Sequence, residues 1–175
     1  QTGILIAGWG NPIDRVVSDF TAGAVEEMLV AVGGDRDLLV VEGQGSITHP
    51  AYSAVTCGIL HGSMADGLVL CHAAGREVVH GYEEFALPPL ADFVDLYEDL
   101  ATPVHETSVV AGAVNTQDVD GDDAAAEAVA AFAAETGVPA TDPVRHGADA
   151  IVDAALDAGL GAGDAAAADG EEAAE

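Results

Sequence analysis

The chain contains no lysine. Its only basic residues are four arginines, set against 31 aspartates and glutamates, which gives a net charge of −27. Such a field repels nucleic acid and anionic lipid, since both are held by cationic contacts. Neither is expected as a partner, and no membrane association is expected. An acidic, lysine-free surface over an ordinary core reads as halophilic adaptation to a salt-loaded cytoplasm, where concentrated ions screen self-repulsion. Cysteine is nearly absent too. Cys57 and Cys71 are too few for a disulfide framework and lie in apolar surroundings, so two buried thiols in a reducing cytoplasm are expected. No apolar run is long enough to span a bilayer. Residues 1–8 lack the basic start and long apolar stretch of a signal peptide.

What is present is alternation. Half of the 175 residues are apolar, enough for one domain with a core. The segments GILIAGWG, LLVVE, GLVLCHA, SVVAGAVNT and VPATDPV read as strands. The stretches 12–32, 52–61, 88–100, 122–135 and 148–156 read as helices, with Gly33, Gly34 and Gly137 as stops and Pro88 as a start signal. Repeated strand-then-helix units with continuous apolar strands predict an α/β domain, a mostly parallel sheet flanked by helices. The domain is expected over 1–158. Residues 159–175 contain little beyond Ala, Gly, Asp and Glu and are expected to be a disordered acidic tail.

Ligands of open parallel sheets bind beyond the carboxyl ends of the strands. Each expected strand here ends in a polar or glycine cluster: GWGNPIDR, EGQGSITHPAY, CHAAGRE, NTQ and DPVRHG. Arg15, Arg76 and Arg145 fall just past strand ends, whereas Arg36 lies at the opposite end. In a chain so poor in positive charge, three rim cations point to a small anionic substrate. Surface ion pairs with Asp14, Glu77 and Asp142 are the ordinary alternative. Asn115 and Asp142 sit at two of these ends; helix capping is an adequate reason for Asp14 or Asn115, each taken singly. Glu42 ends LLVVE and opens a glycine-rich turn. A strand-tip acid can hold Mg²⁺ or take a proton, and Gly43, Gln44 and Gly45 offer a backbone that a ligand can approach closely. His49 adds a titratable ring and Tyr52 a hydroxyl.

Three other patterns carry less. DVDGDD has Asp123 and Val129 where a calcium loop begun at Asp118 needs Gly and Glu. Cys57 with His61, plus Cys71 and His72, suits a core better than zinc. A triad of Ser46, His49 and Asp142 lacks the G-x-S-x-G turn.

The segments QTGILIAGWGNPIDRVVSDFTAGAVEE, LLVVEGQGSITHPAYSAVTCGILHGS, LVLCHAAGRE, AVNT and TDPVRHGAD, in that order, resemble the C-terminal domain of the D-glutamate N-acetyltransferase-like family, long catalogued as a domain of unknown function. The resemblance covers residues 1 to about 157. It implies a P-loop NTPase-like domain preceded by a small Rossmann-like domain. EGQGS is also similar to the strand-E-G-x-G motif of dethiobiotin synthetases. The family pattern includes an upstream glycine-rich phosphate loop with Lys and Thr. No G-x-x-x-x-G-K-[ST] occurs here, so the domain is expected to lack the first strand and phosphate loop, as a fragment truncated at its N-terminus.

The resemblance implies N-acetylation of D-glutamate with acetyl-CoA as co-substrate. Glu42 or His49 would then serve as base. Arg15, Arg76 and Arg145 would hold carboxylate or CoA phosphates, and the Gly43–Gly45 backbone would face phosphates or oxyanion. Two alternatives stay open. In an enzyme using Mg-nucleotide, a ligase or kinase-like protein, Glu42 is the metal ligand and Asn115 reads the base. In the other, the chain is a non-catalytic remnant. The oligomeric state is left open.

Overall fold

A computed structural model of the chain describes residues 10–34 and 36–161. The expected strand in GILIAGWG and most of the expected acidic tail lie outside the described residues. Two short 3₁₀ turns, Ile13–Arg15 and Ser18–Phe20, lead into helix α1, Thr21–Gly33. The sequence predicts one helix from Pro12. It begins later because Val16 and Val17 are extended, with ψ of 134° and 136°. Helix α2, Ser53–Ser63, packs on α1. Their approach is close because α2 presents glycines there. A Cβ on Gly62 would lie 2.3 Å from the Ala22 carbonyl oxygen, and one on Gly58 would lie 2.5 Å from Thr21 Cγ2.

Strand β1, Gly67–Ala73, is the edge of a three-stranded sheet. A hairpin follows, β2, Val78–Val79, and β3, Tyr82–Ala86. Then come helix α3, Leu90–Ala101, strand β4, Ser108–Asn115, helix α4, Asp122–Thr136, strand β5, Ala140–Thr141, and helix α5, Asp149–Asp157. The sheet order is β1-β4-β5, with both pairings parallel. His72 stands opposite Val114 and Ala73 opposite Asn115. The expected parallel α/β class is present.

Helices α3 and α4 close over the sheet through Leu70, Phe93, Val109, Val114 and Phe132, with Ile47 in the same cluster. Phe132 is 2% exposed and occupies the space above Gly112; a Cβ there would meet the ring at 2.1 Å. Burying such a ring is worth about 1.5–3 kcal/mol, so the missing side chain at 112 is what admits it. Helix α4 stops where predicted, at Gly137, which takes φ of 76° and donates its N–H to the Ala133 carbonyl. Leu160, which the sequence assigns to the tail, packs against Gly67.

Two expectations about the other edge need correction. Leu38–Glu42, read as a buried strand, is neither buried nor paired. Leu38, Leu39, Val40 and Val41 are exposed, Val40 at 90%. Apolar composition favours a strand, but a strand exists through its ladder. No described segment pairs with this one, since β1 has β4 as its sole described neighbour. For the same reason the thiols are not both buried. Cys57 is partly buried, while Cys71 is exposed on the open edge strand, near the equally exposed Val69. No helix among the described residues is long and apolar enough to cross a membrane.

Candidate functional site

The loop after Glu42 divides into an anchored part and a free part. From Gln44 to Ser53 the chain is tied down. The Gln44 carbonyl accepts the Thr56 hydroxyl at 2.8 Å, and the Ile47 N–H donates to the Tyr97 hydroxyl at 3.3 Å. The Ile47 side chain enters the core at 6% exposure. Burial pushes the Tyr97 phenol up from its usual pKa, so it stays a neutral donor and acceptor. Tyr52 and Ser53 donate their N–H groups to the His49 carbonyl. His49 Nδ1 accepts the Ala51 N–H at 3.1 Å. That nitrogen acts as an acceptor, which places the ring N–H on Nε2. The ring lies 4.5 Å from that of Tyr52 and 5.1 Å from that of Tyr82. The hairpin is thus joined to the loop.

The two loop glycines differ. Gly45 has φ of 71°, and a Cβ there would lie 2.4 Å from Tyr52 Cβ; the fold itself requires glycine. Gly43 has ordinary φ and nothing within 4 Å of where its Cβ would be, so the described fold gives no reason for glycine there. Glu42, beside it, is exposed and has no hydrogen-bond partner among the described residues. Gly43→Ala is accordingly expected to leave the folding stability within about 0.5 kcal/mol of the parent while impairing the binding of whatever ligand approaches the loop. Gly45→Ala should destabilise by more than about 1 kcal/mol. Equal stability losses in the two variants would remove the distinction.

At the carboxyl edge of the sheet, the loops after β1, β4 and β5 do share one rim, as parallel strands require. Asn115 ends β4. Its carbonyl accepts the Ala74 N–H, and its Oδ1 accepts the Gln117 N–H at 2.9 Å, which leaves the amide NH₂ without a described partner. Asp142 is 2% exposed. One oxygen accepts the Thr116 N–H at 3.0 Å and the Thr116 hydroxyl in a short bond. The other accepts the N–H groups of Val144 at 2.9 Å and Arg145 at 3.1 Å. Its four acceptor positions are filled by protein. The Thr116 hydroxyl, opposed by burial and helped by the backbone N–H groups, holds its pKa well below the usual carboxylate range. Arg145 donates to Asp122 at 2.8 Å and to the carbonyls of Thr116 and Val119, so its guanidinium ties the β4–α4 turn to the β5 loop.

Arg15, Arg36 and Arg76 make no ion pair among the described residues, and all three are exposed. Arg76 lies on the rim, its N–H bonded to the Ala73 carbonyl. Arg15 sits in a 3₁₀ turn before α1, not after any described strand. The structure thus brings Arg76, Asn115, Asp142 and Arg145 to one sheet edge. His49 and Tyr52 belong to the anchored part of the neighbouring loop, and Glu42 to its free part. Sequence reasoning weighs His72 only as a zinc ligand and assigns it to the core; the structure turns it toward a cleft at the rim. Its signal is its place next to the last residue of β1.

The family model described as "Domain of unknown function (DUF1611_C) P-loop domain" matches residues 1–152. A protein of Tritonibacter scottomollicae named D-glutamate N-acetyltransferase is 39% identical over 155 residues, covering 88% of this chain and 46% of the relative. A protein of the same name from a Pseudoalteromonas species is 38% identical over 153 residues, covering 87% and 46%. The crystal structure of a DUF1611 family protein from Anabaena variabilis superposes with a TM-score of 0.85 at 42% identity, covering 89% of this chain and 46% of that one. The chain therefore spans about half the length of the curated relatives it matches, and over that span it belongs to the DUF1611 family, as the family's C-terminal P-loop domain.

Proposed function

We propose that the chain is part of an N-acyltransferase that acetylates D-glutamate with acetyl-CoA. The observation that carries this reading is the pair Glu42 and Gly43, a carboxylate and a glycine with no described structural duty, set beside a loop that is otherwise fully anchored. The names of the two curated relatives supply the substrate. Acetyl transfer asks for a base to take a proton from the ammonium or attacking amine, a donor for the developing oxyanion, and cations for the anionic partners. In this reading Glu42 is the base. His49 presents Nε2–H, which suits it to donate toward an oxyanion. The amine nitrogen adds to the thioester carbonyl carbon, its proton passes to Glu42, and the C–S bond breaks to release CoA thiolate, which takes that proton back from Glu42 to leave as thiol. Arg15 and Arg76 serve the substrate carboxylates or CoA phosphates, with Gln44 and Tyr52 as further loop contacts. Asp142 and Arg145 hold the β5 loop in place.

A second reading rests on Asn115. Its unpartnered amide NH₂ at the sheet edge, in a domain whose family is described as P-loop, would suit recognition of a base. Mg-nucleotide would then be bound with Glu42 as metal ligand. The two readings separate in one assay on the product of the full reading frame that contains this chain. Thiol release from acetyl-CoA that depends on D-glutamate is expected. Phosphate release from Mg-ATP without thiol release would overturn the acyltransferase in favour of the nucleotide enzyme. Neither product would favour a non-catalytic role.

A further inference from the structure

A cavity of about 200 Å³ lies between the carboxyl end of β1 and helices α3 and α4. Carbon lines most of it, from Leu90, Val114, Ala131 and Phe132. Two polar side chains reach it, His72 and Glu135. Glu135 is already committed, because its Oε1 accepts the Leu90 N–H at 2.6 Å and so caps the first turn of α3. The His72 ring is half-buried, and its nitrogens have no hydrogen-bond partner among the described residues. It sits 6.1 Å, centroid to centroid, from the Phe132 ring. Burial, then the Arg76 cation, lower its pKa, with Glu135 opposing, so the imidazole is neutral at pH 7. A neutral imidazole offers one donor and one acceptor.

We propose that this cavity is the seat of the short acyl group of the thioester donor, with the His72 ring as its one polar contact. The proposal rests on the acyltransferase reading and names a subsite of it. Size comes first. The volume equals roughly seven water molecules at about 30 Å³ each, well short of the ~300–1,000 Å³ that a whole small-molecule ligand fills. It suits one small group at the end of a larger molecule. Charge comes second. No cation among the described residues lines the cavity, and the Glu135 carboxylate does. A substrate carboxylate placed there would be buried without a partner and repelled. A neutral acyl carbonyl meets neither penalty, because its oxygen needs a single donor and its methyl meets carbon. Place comes third. His72 stands opposite Val114 in the ladder, one residue before the Ala73–Asn115 pair. The cavity therefore belongs to the same rim as Arg76, which is positioned for the anionic remainder of a donor.

The competing account is a packing gap between three elements. Ala131 separates the two. It is exposed on α4, so Ala131→Leu can fill the cavity from its mouth without repacking the core. On the full-reading-frame protein, Ala131→Leu and His72→Gln are each expected to raise the KM for acetyl-CoA at least tenfold. The KM for D-glutamate and the melting temperature should stay near the parent values. A binding arm does not depend on turnover. S-acetyl-pantetheine is expected to shift the His72 ring resonances in the parent and not in Ala131→Leu, whereas unacylated pantetheine shifts them in neither. If acetyl transfer proceeds with unchanged acetyl-CoA KM in Ala131→Leu, the subsite is overturned while the acyltransferase reading stands. If no transfer occurs in any protein but the acetyl thioester still shifts His72 alone, the subsite stands and the reading of the substrate fails. Absence of both turnover and shift overturns the subsite.

Discussion

Replacing Asp142 by alanine is expected to destabilise the domain by about 3–5 kcal/mol, the size seen when one partner of a buried, hydrogen-bonded charge is removed. A typical domain has only about 5–15 kcal/mol in total. The expectation follows from the donor count. Loss of the carboxylate strands the Thr116 N–H and hydroxyl on one side and the Val144 and Arg145 N–H groups on the other. Thr116 is 0% exposed, so water cannot readily replace what is lost. Asn at 142 should recover part of the loss, since one amide oxygen still accepts. Its NH₂ would, however, face two donors. The pH dependence has a definite sign. The native pKa is depressed, so the carboxylate contributes stability that is fully present above its unfolded value of about 3.9 and is lost as pH falls toward the native value. Protonation also relieves the self-repulsion of a chain at −27, which opposes this trend in parent and variant alike. The difference between parent and Asp142→Ala isolates the group. That difference, from denaturant melts in molar KCl, should shrink steadily below about pH 4. A constant difference across that range would mean the carboxylate is not what the four donors need.

The second large effect is functional. On the proposed acyltransferase reading, Glu42→Gln in the product of the full reading frame is expected to lower kcat by about 10²–10⁴, the usual contribution of a positioned general base. Stability should change by less than about 0.5 kcal/mol, as for an exposed residue without partners. The two numbers must come from the same preparation, because their contrast is the content of the prediction. Full turnover in the variant would make Glu42 a bystander. A variant that unfolds would show a structural partner outside the described residues. If kcat falls and added Mg²⁺ no longer affects the protein, the nucleotide reading gains.

Much of the fold was legible because local and tertiary signals agreed. GLVLCHA and SVVAGAVNT carry continuous apolar runs, Leu68–Cys71 and Val109–Val114, and became paired parallel strands. Helix α4 ends at the glycine that takes φ of 76°. The hairpin was missed, although His80–Gly81 between Val79 and Tyr82 is a turn signal and Gly81 takes φ of 77°. LLVVE misled because an apolar run reports affinity for a sheet and not the presence of a neighbour. In the site, the rim loops were legible from strand ends alone. The different duties of Gly43 and Gly45 were not, since only the position of Tyr52 separates them. Nor were the inward roles of Asp142 and Arg145. An Asp followed by Pro signals a local turn to the backbone, but the reach of Arg145 to Asp122 crosses 23 positions of sequence. His72 looked like a core residue until the cleft beside it was visible.

The exposed apolar residues Leu38–Val41, and Val69 on the edge strand β1, bear on how residues 1–175 behave as a colloid. At low ionic strength the copies are held apart by charge. Near 1 M salt the Debye length falls to about 3 Å, and the apolar flanks of neighbouring copies can meet. Sulfate and phosphate add to this by strengthening apolar burial directly. The choice of anion then decides between two fates. Chloride relieves the internal repulsion at modest gain in stickiness, whereas sulfate should turn solutions of residues 1–175 turbid, through edge-to-edge strand association, before any gain in melting temperature can be read.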